Sequence, residues 1–274
     1  EISGIPFYRL ITDLEAHFEE KKEELVEILQ TLLKMIFRPE NLMVDFVGEE
    51  KAVGLLDAPV EAFKAALYTE AVEMAHYIPE VSRKNEGFLT SGQVNYVCRA
   101  GNFRKSGLKY TGALRVLKVM LGYEYLWVNV RVKGGAYGCM CSFGRSGDSY
   151  FVSYRDPNLG RTIDIYEKAA DAIAEFTADE RTMTQYIIGA VSDLDVPMNP
   201  AAKGLYSLSA YMTGLDDAAL QREREELLSA TVEDIRALSA HIRAFMQEDL
   251  LCVVGTASKV KEEQDRFLKV ENLF

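Results

Sequence analysis

The chain has 274 residues, 48% of them hydrophobic, and a mean hydropathy of -0.07, which suits one large core or two smaller ones and excludes disordered and fibrous classes. A net charge of -11 and a pI near 4.9 oppose nucleic-acid binding, which depends on Lys and Arg neutralising phosphates. The longest apolar stretches, as at 114–121, are broken by Arg115 and Lys118 and fall short of a membrane span.

At the amino terminus, Thr12 and Glu15 form a capping-box pattern, and Leu14, Phe18, Leu25, Ile28, Leu29, Leu32 and Ile36 recur on one helical face, which predicts a single amphipathic helix over 13–37. Pro39 ends it, and a strand is expected at 42–47, closed by Gly48. Near the other end, Thr231 with Asp234 opens a helix bearing Ile235, Leu238, Ile242 and Phe245, followed by a strand at 250–254 and Gly255. The passages "FRPENLMVDFVG" and "FMQEDLLCVVG" resemble each other as the ends of two homologous domains would. Residues 1–48 are therefore read as the helix-and-strand tail of one domain, 49–80 as a linker containing a helix in "EAFKAALYTEAVEMA", and 81–274 as a second domain. Within that domain a strand is predicted at 93–99, a helix at 111–121 and a hairpin of 137–143 with 149–155 turning through "GRSGD". Helices are predicted at 162–177, 179–193, 199–213 and 216–228. That order points to an α+β fold, a largely antiparallel sheet with helices packed on one side, rather than a doubly wound parallel sheet. Because the first residue is Glu1 and no leader pattern follows, we expect the chain to be cut from a longer polypeptide.

Chemistry has few places to reside. His17, His76 and His241 lie far apart, whereas a helical zinc site needs two imidazoles four residues apart, so no metal site is expected here. Four cysteines, Cys98, Cys139, Cys141 and Cys252, are too few for a disulfide framework, and a reducing compartment with a cytoplasmic location is the expectation. Two residues apart on a strand, Cys139 and Cys141 should share a face with Tyr137 and Phe143 as small structural side chains. The informative stretch is "YLWVNVRVKGGAYGCMCSF". Gly134 and Gly135 permit a sharp bend, flanked by the fixed donors of the Arg131 guanidinium and by the Tyr137 hydroxyl, which together suit a peptide carbonyl or an oxyanion. The same residues equally suit a surface ion pair for Arg131 and a core-closing role for Tyr137.

That stretch, with "VNYVCRAGNF", "SYRDPNLGRTIDIYEKAADAI" and "GIPFYRLITDLEAHFEEKKEEL", resembles the presequence-protease branch, subfamily C, of the pitrilysin, or M16, metallopeptidases, whose domains share the LuxS-like metallohydrolase fold. The likeness covers nearly the whole chain and implies the tail of the third and all of the fourth of four related α+β domains, arranged as two halves around a peptide chamber. It implies that the parent is a zinc metalloendopeptidase whose zinc is held by the missing amino-terminal domain, with no cofactor in this fragment. Expected partners are the amino-terminal half of the same polypeptide and a peptide substrate, without nucleic acid or membrane. In that family an arginine and a tyrosine six residues apart around a glycine pair reach the substrate backbone, which assigns substrate contact to Arg131 and Tyr137 and their placement to Gly134 and Gly135. The alternative is a binding or assembly domain of a catalytically inactive homologue. One local conflict follows: Leu126, Val128, Val130 and Val132 alternate as a strand would, whereas the family places a helix there, and the helix is the expectation.

Overall fold

The computed structural model describes residues 4–72 and 84–273. Helices α1 (Ile5–Ala16), α2 (Phe18–Ile36) and α3 (Asp57–Ala65) come first, then strands β1 (Glu86–Thr90) and β2 (Asn95–Asn102). Helix α4 (Ala113–Met120) runs on into a wider π segment, Leu121–Val132, and the hairpin β3 (Gly138–Phe143) and β4 (Asp148–Asp156) follows. Next come α5 (Gly160–Glu167), α6 (Ala169–Ala174), α7 (Glu180–Leu194), α8 (Pro200–Thr213), α9 (Asp217–Leu228), α10 (Val232–Ala237) and α11 (Ser239–Gln247). Strand β5 (Leu250–Thr256), α12 (Ala257–Glu262) and β6 (Lys269–Asn272) complete the order. The chain divides into two compact units, Glu1–Glu80 with Met198–Gly214, and Val81–Pro197 with Leu215–Phe274.

In the first unit the helix predicted over 13–37 is two helices that part at His17, whose backbone leaves the helical region at φ -122. The chain is already helical from Ile5, with Pro6 in the first turn where its missing N–H costs nothing. Thr12 is therefore internal, and its hydroxyl bonds back to the Tyr8 carbonyl at 2.8 Å instead of capping. The strand expected at 42–47 is also absent. An extended segment becomes a strand only by pairing, and no described strand lies beside it. Asn41 instead turns back to give its amide to the Met35 and Ile36 carbonyls, two of the acceptors that the end of α2 leaves open. The linker helix is shorter than "EAFKAALYTEAVEMA", ending at Ala65, and residues 73–75 of that stretch lie outside the described residues. None of α1, α2, α3 or α8 has a buried residue, and Phe7, Leu10, Ile11, Leu29, Leu32 and Ile36 are exposed.

The second unit is built on one six-stranded sheet in the order β3-β4-β2-β5-β1-β6. The pairings β3–β4, β4–β2 and β2–β5 are antiparallel, while β5–β1 and β1–β6 are parallel. Alternation along the strands gives it two unlike faces. Val97, Phe151, Ser153, Leu251 and Val253 are buried towards the helices, and Tyr96, Tyr150 and Cys252 face outward and are exposed. Helices α4, α5, α11 and α12 pack on the buried face. There Phe151 meets Phe245 edge-on at 5.2 Å and Tyr166 at 5.5 Å, among Leu114, Leu117, Ile163 and Ile242. Each fully buried side chain of this size contributes about 1.5–3 kcal/mol, which identifies the sheet-helix interface as the source of this unit's stability.

The predicted hairpin, the 111–121 helix and the Thr231 cap are all present, with both reciprocal bonds of the Thr231–Asp234 capping box formed. The helix predicted at 162–177 is broken at Lys168 into α5 and α6. Strands β1 and β6 and helix α12 were not foreseen. Their sequences, "EGFLT" and "KVEN" for the strands, are short and lack alternation, and both depend on parallel partners distant in the chain.

Candidate functional site

Residues 121–132 are helical despite their alternation. The buried positions are Leu121, Leu126 and Val130, spaced five and four apart, while Val132 is exposed, so the burial follows a widened helix and not a strand. Lys133 N–H closes on the Val128 carbonyl at 3.0 Å, an i to i-5 bond that marks the π geometry at the end next to the glycines. That turn presents Arg131 over Trp127, with the guanidinium carbon 4.3 Å from the ring centroid. Four residues apart on one helix face, the two stack as a cation on a π cloud. Arg131 Nε is buried without a hydrogen-bond partner, and no carboxylate among the described residues pairs with this guanidinium.

The chain then reverses through the glycine pair. Gly135 N–H bonds the Arg131 carbonyl at 2.8 Å and Ala136 N–H the Val130 carbonyl at 3.2 Å. A Cβ on Gly134 would stand 2.3 Å from the Val130 carbonyl oxygen, and Gly135 sits at φ +82, where other residues are strained. The bend hangs from the loop after β4: Asn158 gives its amide to the Gly134 carbonyl at 2.5 Å, and Arg161 reaches the Lys133 carbonyl at 3.1 Å. That loop is anchored by the wholly buried Asp156, whose carboxylate accepts from Asn158 N–H (2.8 Å) and the Thr162 hydroxyl (2.7 Å).

Tyr137 emerges from the bend 59% exposed, ahead of β3. It does not join the buried face with Cys141 and Phe143, as strand alternation suggested, although its N–H bonds the Arg155 carbonyl at 3.3 Å. Its ring lies edge-on to Tyr154 at 5.4 Å, with the Arg155 guanidinium 5.8 Å from its centroid. Arg155 has a left-handed backbone, φ 49, at a register shift between β2 and β4 in which β4 holds an extra residue. Such bulges re-aim side chains, and this one places Arg155 at the tyrosine. Sequence reasoning missed Trp127 and Arg155. The first was visible as an i-4 partner once the helix was accepted, whereas the bulge leaves no local signature.

Beside Trp127 a cleft of about 380 Å³ opens against β3 and α7, lined by Lys118, Tyr123, Cys139, Met140 and Asp193. Burial, together with Asp156 and against the opposing pull of Arg131, pushes the Cys139 thiol up to about 11, and burial pushes Cys141 to about 12. Both stay protonated at neutral pH. His17 bonds the Asp13 carbonyl and His241 the Lys109 carbonyl, while His76 lies outside the described residues. Among the described residues no three His, Cys, Asp or Glu side chains converge as a metal site requires, and these residues do not fit zinc. No described helix is long and apolar enough to cross a membrane.

The family model of the PreP C-terminal domain matches residues 85–259. The chain is 38% identical over its full length to Protein HypA of Clostridium perfringens, covering 28% of that protein. It is 29% identical over 99% of its length to presequence protease 1, chloroplastic/mitochondrial, of Arabidopsis thaliana, covering 26% of it. The chain thus spans about a quarter of the length of these curated relatives. Its fold is shared by the crystal structure of a peptidase M16 inactive domain from Pseudomonas fluorescens, with a TM-score of 0.52 and 16% identity over 74% of this chain and 51% of that one. The family model spans the sheet from β1 to β5, the π turn and the glycine bend, and this chain therefore belongs to the PreP C-terminal domain family.

Proposed function

We propose that this chain is the non-zinc-binding carboxy-terminal part of a presequence-protease-type M16 zinc metallopeptidase, closing a peptide chamber against the amino-terminal half of the same polypeptide and gripping the peptide backbone with Arg131 and Tyr137. The observation that supports this reading is the state of Arg131: a guanidinium stacked on Trp127, with a buried and unbonded Nε and no described carboxylate to neutralise it. A guanidinium that no described carboxylate neutralises keeps its outer donors for an arriving carbonyl. Tyr137, braced by Tyr154 and Arg155, brings a hydroxyl on a rigid ring. As a peptide carbonyl turns tetrahedral, negative charge grows on its oxygen, and donors fixed beforehand stabilise that charge without reorganising. Since these donors stand on one half of the protein, they join the reaction only when the halves close, so cleavage awaits enclosure. Alone, the chain cleaves nothing, and it works in a reducing compartment, as its four free cysteines suggest.

The test is steady-state kinetics of the full-length protein on a quenched peptide. Tyr137→Phe removes one hydroxyl and little volume, and kcat is expected to fall by about a hundredfold, the usual loss for one oxyanion donor, with KM little changed. An unchanged kcat would remove the assignment.

A further inference from the structure

Cys98 on β2 and Cys252 on β5 lie opposite each other in register where the two strands pair antiparallel. Opposed residues of such a pair have Cα atoms about 4.5–5.5 Å apart and project to one face, well within the about 4.4–6.8 Å that a disulfide spans. Here the face is the one turned away from the helices, shared with the exposed Tyr96, Met140 and Tyr150. All four cysteines are free thiols, Cys252 exposed and Cys98 half-buried. The other two are not opposed across a strand pair. Cys139 and Cys141 follow each other on one strand, about 6.6 Å apart with side chains parallel, and Cys141 is buried towards the helices.

We propose that Cys98 and Cys252 form a reversible modification site, a dithiol that takes a small-molecule disulfide as oxidant and closes into a cross-strand bond. The Cys252 sulfur, its proton lost to solvent, attacks one sulfur of the oxidant, whose S–S bond breaks and releases the first small thiol. Cys98 then loses its proton and attacks the Cys252 sulfur of the mixed disulfide, forming the protein S–S bond and expelling the second. Two protein S–H groups become one S–S bond, and the oxidant gains two electrons to become two thiols. Desolvation, then Cys98 and Glu86, push the Cys252 thiol to about 11, and burial raises Cys98, so closure is slow near neutrality and faster in mild alkali. β2 and β5 are the two central strands of the sheet, and the bond joins its antiparallel side to its parallel side.

The 274-residue chain, incubated with glutathione disulfide at mildly alkaline pH and then denatured under acid, is expected to fall from four free thiols to two. Proteolytic mapping should join the peptides holding Cys98 and Cys252, and dithiothreitol should restore all four. Cys98→Ser should stop at a stable glutathione adduct on Cys252, and the Cys139→Ser, Cys141→Ser double variant should close as the parent does. Four thiols remaining after an exposure that modifies the unfolded chain would overturn the proposal. So would glutathione retained on Cys252 beside a reduced Cys98, or a bond that involves Cys139, Cys141 or a second chain.

Discussion

Two arginine clusters of this domain are built in opposite ways. Arg115 of α4 and Arg145 of the β3–β4 turn both bond the Glu223 carboxylate of α9, which is 6% exposed and also accepts the Tyr110 hydroxyl at 3.2 Å. Arg131 rests on an indole instead, with one nitrogen unbonded. In the first cluster the two guanidinium groups share one carboxylate inside the molecule, so its work is to hold three elements together. In the second no described carboxylate supplies a match, and a tight glycine bend and a strand bulge place the groups around it. Local rules are kept where stability is made and broken where a ligand is expected.

The largest expected effect separates the clusters by stability. Glu223→Ala strands two guanidinium groups and should destabilise the chain by about 2–3 kcal/mol, somewhat below the usual cost of breaking a buried pair because both arginines reach water. Arg131→Ala has no ion pair to lose among the described residues, only its stack on Trp127, and should cost under about 1 kcal/mol. Urea unfolding of both variants measures the difference, and equal losses would erase the contrast.

Acid sharpens it. Burial alone would push the Glu223 carboxyl up, but the hydrogen bonds from Arg145 and Arg115 outweigh this and hold it below its ordinary value of 4.5. A carboxyl lowered in the folded state contributes stability that is complete above its unfolded value and is lost as pH falls through the folded one. Glu223→Gln should therefore flatten the acid limb of the stability curve below about pH 4.5, whereas Arg131→Ala should leave that limb in place. Unfolding followed between neutral and strongly acid pH checks the sign.

Smaller effects test the bend. Gly135→Ala at φ +82 should cost about 1–2 kcal/mol, the penalty of a left-handed residue with a side chain. Trp127→Leu removes the platform beneath Arg131 and should cost under about 1 kcal/mol at so exposed a ring. Differential scanning calorimetry resolves both, and a larger loss at Trp127 than at Gly135 would make the indole structural.

Much of this was legible in the sequence, for reasons visible in particular residues. The hairpin through "GRSGD" and the Thr231 capping box are local, each written within a few residues. The bend at Gly134 and Gly135 was equally local, since only glycine tolerates that carbonyl approach and that φ. Pairing was not legible. Residues 42–47 have strand composition and no partner among the described residues, whereas "KVEN" has little strand character and becomes β6 because β1 lies beside it. The opposition of Cys98 and Cys252 is likewise a fact of register between strands distant in the chain, which no spacing rule reports. The break of α1 from α2 at His17 was hidden because the apolar positions keep their helical period across it.

The most direct test of Arg131 is a paired measurement on the full-length protein: kcat/KM for a quenched peptide and the melting temperature, for Arg131→Ala and Glu223→Gln together. The account predicts at least about a hundredfold loss of kcat/KM with a nearly unmoved melting temperature for Arg131→Ala, and a lowered melting temperature with near-normal kcat/KM for Glu223→Gln. Normal kcat/KM in Arg131→Ala, or a loss matched by an equal fall in melting temperature, would contradict it.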